Sequence, residues 1–532
     1  MKNTSRLKLL AAILTLTLSG TLLSCGSQEP HAGSCFVNVN GAEPEQEFHP
    51  LSTNDAAGLR LASVLQSGLV YIDETGQPQL DLAESIKQLS PTSYEVTLPE
   101  DLQFSDGSPI TAKTFVDSWN YAVAQDEFWA PQLNNIVGFG EYGAGLSGLK
   151  VVSDTVFTIE LREPRLDFIA SLAQPAFLPL PSSAFGETKN FKNNPVTSGP
   201  YRISQWAHSQ YVTVVPFTGY RGGKKVTNEG IKFHLYEKTE KPFEDFQSGD
   251  LDVLDMIPAS EFAEYQKQAE NRLVHQPGAA IISLSIHSQT PHFTGEEGRL
   301  RRQALSLALD REALADDVLD YSHIAASRFT PPIVAGDTTL EAPAHYDPEQ
   351  AKQLWREADA ISPFTGSIPV HFSHDIAANH QWGKAVARQI TKVLGVPADP
   401  VPGADFTRFR YDYQTVRFDG LYRTGWVADY PSMREYLVPN FATNGVSNDT
   451  QYSNPDVDAL FDAASSAENQ AEASQLYTDA ENILLAELPA IPLLYPAVNL
   501  GWNKSVDNVQ VGFNSFPLYH SITKDSASCD AS

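Results

Sequence analysis

The residues Gly425-Trp426-Val427-Ala428-Asp429-Tyr430 set one carboxylate among apolar and aromatic neighbours, immediately before Pro431. Burying an unpartnered carboxylate is costly, so Asp429 must reach water, cap a helix running from Pro431 toward Leu437, or meet a cation. If that cation is the ammonium group of a ligand, the chain is a receptor. Arg423, two residues before Gly425 and on the same face of a candidate strand, could buffer Asp429, contact a ligand or stand in solvent. Trp426 could wall a cleft or pack in a core, and Val427 shares its strand.

Other constellations carry less chemistry. His371, His374 and His380 surround the end of a candidate strand, but their spacing gives little support to a metal cluster. Asp250 and Asp252 follow the Gly249 stop of a short helix, which is better read as structure than as a metal pair. No Gly-x-Ser-x-Gly elbow and no His-Glu-x-x-His helix occurs in the sequence. An exported peptide hydrolase, the enzymatic alternative, would therefore need a triad scattered along the chain.

Composition narrows the class further. The 532 residues are 42% hydrophobic and 19% charged, as in ordinary soluble globular proteins, with length for about three units of roughly 150 residues. A net charge of -28, from 37 basic and 65 acidic residues, excludes nucleic acid as a natural partner. Lys2, Arg6 and Lys8 precede the apolar run Leu9 to Leu23, which is short for a membrane span and has the form of an export signal. Leu22-Leu23-Ser24-Cys25-Gly26 resembles a bacterial lipobox, which implies cleavage after residue 24 and lipidation of Cys25. Residues 25–34 then form a polar tether. Cys35 and Cys529 remain, either as a pair or as two free thiols, and no Cys/His spacing suggests zinc.

The elements that must position these residues follow from periodicity. Strands are expected at Phe36 to Asn40, Tyr94 to Leu98, Val156 to Leu161, Tyr211 to Val215, Ile231 to Leu235, Ile281 to Ile286 and Ile368 to Phe372. Helices are expected from Gly58 to Gly68, Ala112 to Val123, Arg299 to Ala308, Asp347 to Glu357, His380 to Leu394 and Ala471 to Leu488. Thr111 and Asp347 have the character of N-caps, and Gly395 that of a helix stop. The mixture, with no internal repeat, gives an α/β class.

Several ordered segments together resemble one family. These are the lipobox, Ser105-Asp106-Gly107-x-Pro109-x-Thr111-Ala112, Asn194-Pro195-Val196 with Gly199-Pro200-Tyr201, and Ser248-Gly249-Asp250-Leu251-Asp252. Arg302-x-Ala304-Leu305-x-x-Ala308-x-Asp310-Arg311, Gly425-Trp426-x-Ala428-Asp429-Tyr430 and Tyr452-Ser453-Asn454-Pro455 complete the series. In this order they look like family 5 extracellular solute-binding proteins, the peptide receptors of ABC importers. Departures are Phe104, His49-Pro50 and Thr114, none of which removes a ligand group.

The resemblance implies a two-lobe, hinge-closing α/β fold of the periplasmic-binding-protein kind, with an extra subdomain in the first lobe. Residues 35–65, 187–278 and 506–532 would form that lobe, residues 66–186 its subdomain, and residues 279–505 the second lobe. Both termini then share a lobe, as a Cys35 to Cys529 disulfide requires. Asp429 would hold a peptide's α-ammonium while the Gly425 and Trp426 backbone pairs with its main chain. Arg423, Val427, Asn54, Ala56, His374, His380 and Tyr495 complete the candidate cleft. No cofactor is expected. The expected protein is a monomer, lipid-anchored to the outer face of the cytoplasmic membrane, or in the periplasmic space if the envelope has two membranes, and it delivers to an ABC permease. Rival ligands within the same fold are a nickel chelate, haem, sugars or a signalling peptide.

Overall fold

The computed structural model describes residues 35–45, 48–141, 145–185, 191, 194–238, 240–335, 340, 344–415, 418–526 and 529. The export signal, Cys25 and the tether lie outside these residues. Among the described residues no helix is long and apolar enough to cross a membrane.

Alternating burial along the strand Val37–Gly41 puts Val37 and Val39 into a core shared with Val212, Val214, Ile231 and Phe233. That strand pairs in parallel with Ile231–Leu235 and with Val253, and the hairpin Tyr201–Ala207/Tyr211–Pro216 extends the sheet antiparallel. The C-terminal tail returns to the same core through Val506, Val511, Tyr519 and Ile522. Its end therefore lies beside its beginning: Cys35 and Cys529 are disulfide-bonded, with Cα atoms 5.2 Å apart. Of the two fates open to these cysteines, pairing is the one observed.

A second half is built on the strands Ala280–Ser285, Ile368–Phe372, Ala398–Pro402 and Leu421–Val427. Helix Pro348–Ile361 covers it, capped by Asp347 with Pro348 at the first position, as does helix Ala377–Leu394, which ends on the left-handed Gly395 (φ 72°). The two halves share one long strand, Ala490–Trp502. Its first residues pair with Ile282 to Ser285, and its last pair with Leu273–Pro277 and Val253–Leu254. The change of partner falls between Pro496, opposite His323, and Ala497, opposite Pro277. The chain thus re-enters the first core at Val498, ahead of the expected boundary at residue 506.

A separate antiparallel unit has its own core. The strands Ser85–Ser90, Ser93–Thr97, Val156–Glu160 and Leu149–Val151 form a four-stranded sheet. Helix Ala112–Ala124 lies against it, opened by a capping box between Thr111 and Thr114. Trp119 stands edge-on to Phe157 and Phe177 in this core. The preceding turn needs a left-handed residue at position 107, and Gly107 (φ 84°) supplies it beside Asp106.

Candidate ligand-binding site

The strand Leu421–Val427 is paired from Tyr422 to Val427 on one side only. Antiparallel pairing with Ala280–Ser285 continues to Val427, opposite Ala280. On the other side, pairing with Ile368–Phe372 covers only Leu421 and Tyr422. From Arg423 onward that edge has no strand partner among the described residues, and its backbone groups call for water or another chain. Gly425 is exposed and Val427 is 66% exposed, so the open edge faces solvent.

Asp429 stands beyond the end of this edge. Its side chain reaches solvent, yet surrounding protein strips enough hydration that burial raises its pKa above the ordinary value, against a hydrogen bond from Gln132. The carboxylate is thus open to solvent on one side and walled by protein on the other. Gln132 Nε2 donates to Asp429 Oδ2 from the turn Ala130–Leu133 of the antiparallel unit. Next to it, Trp129 Nε1 donates to the carbonyl of Thr53 at 2.8 Å, which brings the loop carrying Asn54 to the same place. The helix-cap reading of Asp429 fails: the helix is Met433–Phe441, and its N-cap residue is Ser432. A carboxylate three residues upstream of that cap, bonded to the neutral Gln132 amide, keeps its charge available to a cation.

Arg423 marks the opposite end. A Cβ built on Gly425 would lie 3.9 Å from Arg423 Nη1, so the guanidinium lies over the strand face that Gly425 leaves bare, beside the open edge. It lies over the Phe406 ring, 5.8 Å from the centroid, and its Nε meets no acceptor among the described residues. Burial lowers its pKa, with Tyr413 and Asp375 partly opposing. A desolvated guanidinium with no carboxylate in salt-bridge contact among the described residues is a natural seat for an anion.

The remaining candidates divide. Asn54 and Ala56 are exposed at the start of helix Ala56–Leu65, on the loop tied to Trp129. Trp426 is half-buried against the second half's core, with Nε1 unpartnered among the described residues. His374 is exposed, whereas His380 is half-buried, its Nε2 3.0 Å from the His374 carbonyl and its ring edge-on to Phe372. His380 therefore secures its own loop. His371 stacks on Phe418 with Nε2 3.3 Å from Asp419, and among the described residues no group of three metal-ligating side chains occurs. Tyr495 is 2% exposed, and its hydroxyl donates to the Arg328 carbonyl at 2.6 Å, which makes it a core residue. Gln132 carried no signal in the sequence, because it is a lone amide 297 residues from its partner.

Two sheet halves joined by a shared strand, with an added antiparallel unit, make the α/β fold of periplasmic-type binding proteins. The chain belongs to the bacterial extracellular solute-binding proteins, family 5, whose model matches residues 77–448. It is 25% identical over 486 residues to the periplasmic oligopeptide-binding protein OppA of Escherichia coli (strain K12), covering 86% of this chain and 87% of that protein. It is equally 25% identical, over 501 residues, to the probable deoxycholate-binding periplasmic protein YgiS of the same organism, covering 88% and 90%. Among solved structures, the unliganded open form of the periplasmic murein tripeptide-binding protein MppA superposes with a TM-score of 0.82 at 20% identity, covering 92% of this chain and 97% of that one. Haemophilus influenzae OppA in complex with RPPGFSPFR gives a TM-score of 0.67 at 21% identity, covering 92% and 98%. These relatives are named as binding proteins, not enzymes.

Proposed function

We propose that this protein captures peptides between its two halves and delivers them to the membrane permease of an ABC importer. The observation that carries this reading is the open edge of Leu421–Val427, bracketed by Asp429 and Arg423. An extended peptide laid on that edge gains main-chain hydrogen bonds that ignore its side chains. Its ammonium group pairs with Asp429, in place of or beside Gln132, and an anionic group meets Arg423. Both charges are already desolvated, so the contacts are charge-assisted and little reorganisation is needed. Closure of the halves about the shared strand would then bury the ligand. Oligopeptide binding in the OppA relatives supports the ligand class. The lipobox supports acylation of Cys25, which would hold the receptor beside its permease on the outer face of the cytoplasmic membrane; the protein acts there as a monomer.

The raised pKa of Asp429 gives a pH test. The ammonium needs the ionised carboxylate, so affinity for a free-amine peptide falls as pH drops through the raised value, starting above the ordinary range near 3.8. The N-acetylated peptide keeps its affinity over that interval. Tryptophan-fluorescence titrations of both forms check this, and parallel pH profiles would remove Asp429 from the ammonium site.

A further inference from the structure

Behind Asp429 the chain passes through Tyr430 into a buried polar cluster that the ligand edge does not use. The Tyr430 hydroxyl lies 2.8 Å from Asp167 Oδ2 and 2.7 Å from Glu435 Oε1, and Arg165 Nη2 donates to it. Arg165 Nε donates to Asp167 Oδ1 at 3.0 Å, and its Nη2 reaches Glu435 Oε1 at 3.5 Å. Arg165 and Asp167 come from the end of the antiparallel unit, while Tyr430 and Glu435 flank the turn into helix Met433–Phe441. Beside them, a Cβ on Gly76 would lie 3.7 Å from Pro431, so the tip of the two-stranded hairpin Val70–Ile72/Pro78–Leu80, whose Val70 joins the core of that unit, abuts the same turn.

Counting protons constrains the cluster. Burial keeps the Tyr430 hydroxyl neutral, far above its usual range, so it has one hydrogen to donate. Two carboxylate oxygens lie within hydrogen-bond reach of it. Oxygen atoms 2.7 Å apart with no proton between them repel, so one carboxyl must bring its own. Burial works against the charge of Asp167, but Arg165, Arg434 and hydrogen bonds from Ser432 and Tyr430 hold its pKa below the ordinary value. Glu435 is pushed the other way by burial, with Arg165 opposing. The remaining groups facing the cluster are Arg434, 29% exposed and 3.7 Å from Glu435, Tyr477, which feels Asp167, and Tyr94, which feels Asp167 and Arg165 and whose hydroxyl donates to the Arg165 carbonyl. Tyr436, the next residue in the helix, feels the charge of Glu435. A neutral Glu435 leaves Arg165 and Asp167 as a balanced pair, with the half-buried Arg434 carrying the remaining charge at the rim of the cluster.

We propose that Glu435 carries a proton and donates it to the Tyr430 hydroxyl, and that the cluster is a proton-dependent latch between the antiparallel unit and the turn presenting Asp429. Ionisation of Glu435 removes the hydrogen joining it to Tyr430 and places two carboxylates around one phenol. The sign follows from linkage: the latch's contribution is full below the ordinary glutamate range near 4.5 and is lost as pH rises through the raised value in the fold. The inference does not depend on the identity of the ligand.

Small-angle scattering of the ligand-free protein between about pH 5 and about pH 8 tests it, since a raised glutamate titrates above its usual range. The wild-type radius of gyration should increase with pH. Glu435→Gln, whose amide donates at every pH, should hold the low-pH value, and Tyr430→Phe should show the high-pH value throughout. A constant wild-type radius, a Glu435→Gln variant that follows the wild type, or a Tyr430→Phe variant that keeps the pH dependence would each overturn the latch.

Discussion

Asp429→Asn lowers affinity for a free-amine peptide by roughly 10- to 150-fold, the equivalent of about 1.5–3 kcal/mol for one charge-assisted contact. The N-acetylated peptide binds both proteins alike. Asparagine keeps the shape of the side chain and one acceptor for Gln132 Nε2, so the substitution removes charge while leaving the contact across the cleft. Isothermal titration of the two peptide forms against both proteins measures the effect. Equal losses would assign Asp429 to holding the antiparallel unit in place.

The largest stability effect is expected deep in the second half. Glu481 is 0% exposed, and its carboxylate takes Arg328 Nη2 at 2.7 Å and the Thr330 amide at 2.8 Å. The Arg328 carbonyl in turn accepts the Tyr495 hydroxyl, so the ion pair anchors the shared strand to its neighbours. Glu481→Ala withdraws that carboxylate from a buried guanidinium and should cost about 3–5 kcal/mol. Thermal melting should show a large fall, with Glu481→Gln intermediate because an amide oxygen still accepts. The preference for free-amine over N-acetylated peptide should survive in whatever protein remains folded. A loss below about 1 kcal/mol would mean that the site relaxes to hydrate Arg328.

What could be read in the sequence was local. Thr111, Asp347-Pro348 and Gly395 declare helix ends through neighbouring residues, and the structure puts helix boundaries there. The strand Ala490–Trp502 was not among the expected strands, because Pro492 and Pro496 break a strand pattern. Its ladder with Ala280–Ser285 is interrupted between Ile282 and Ser283, and Pro496 lies next to the change of partner.

The site divides in the same way. Gly425 to Asp429 form one contiguous motif, so their chemistry could be argued from spacing. Arg165, Asp167 and Glu435 look like solvated charges until residues 265 and 270 positions apart meet. Tyr495 shows the opposite error: an aromatic residue near the end of a lobe was expected at the cleft, and the structure sends its hydroxyl to a core carbonyl. Periodicity reports which face is apolar, but not which distant element covers it.

The most direct measurement is mass spectrometry of ligand released by denaturing protein purified from its native cells. A receptor that holds main chain on an open strand edge, with an ammonium at Asp429, should release a ladder of peptides of mixed sequence with free amino termini. A single compound without an amino group, such as a bile acid or a sugar, would contradict the account.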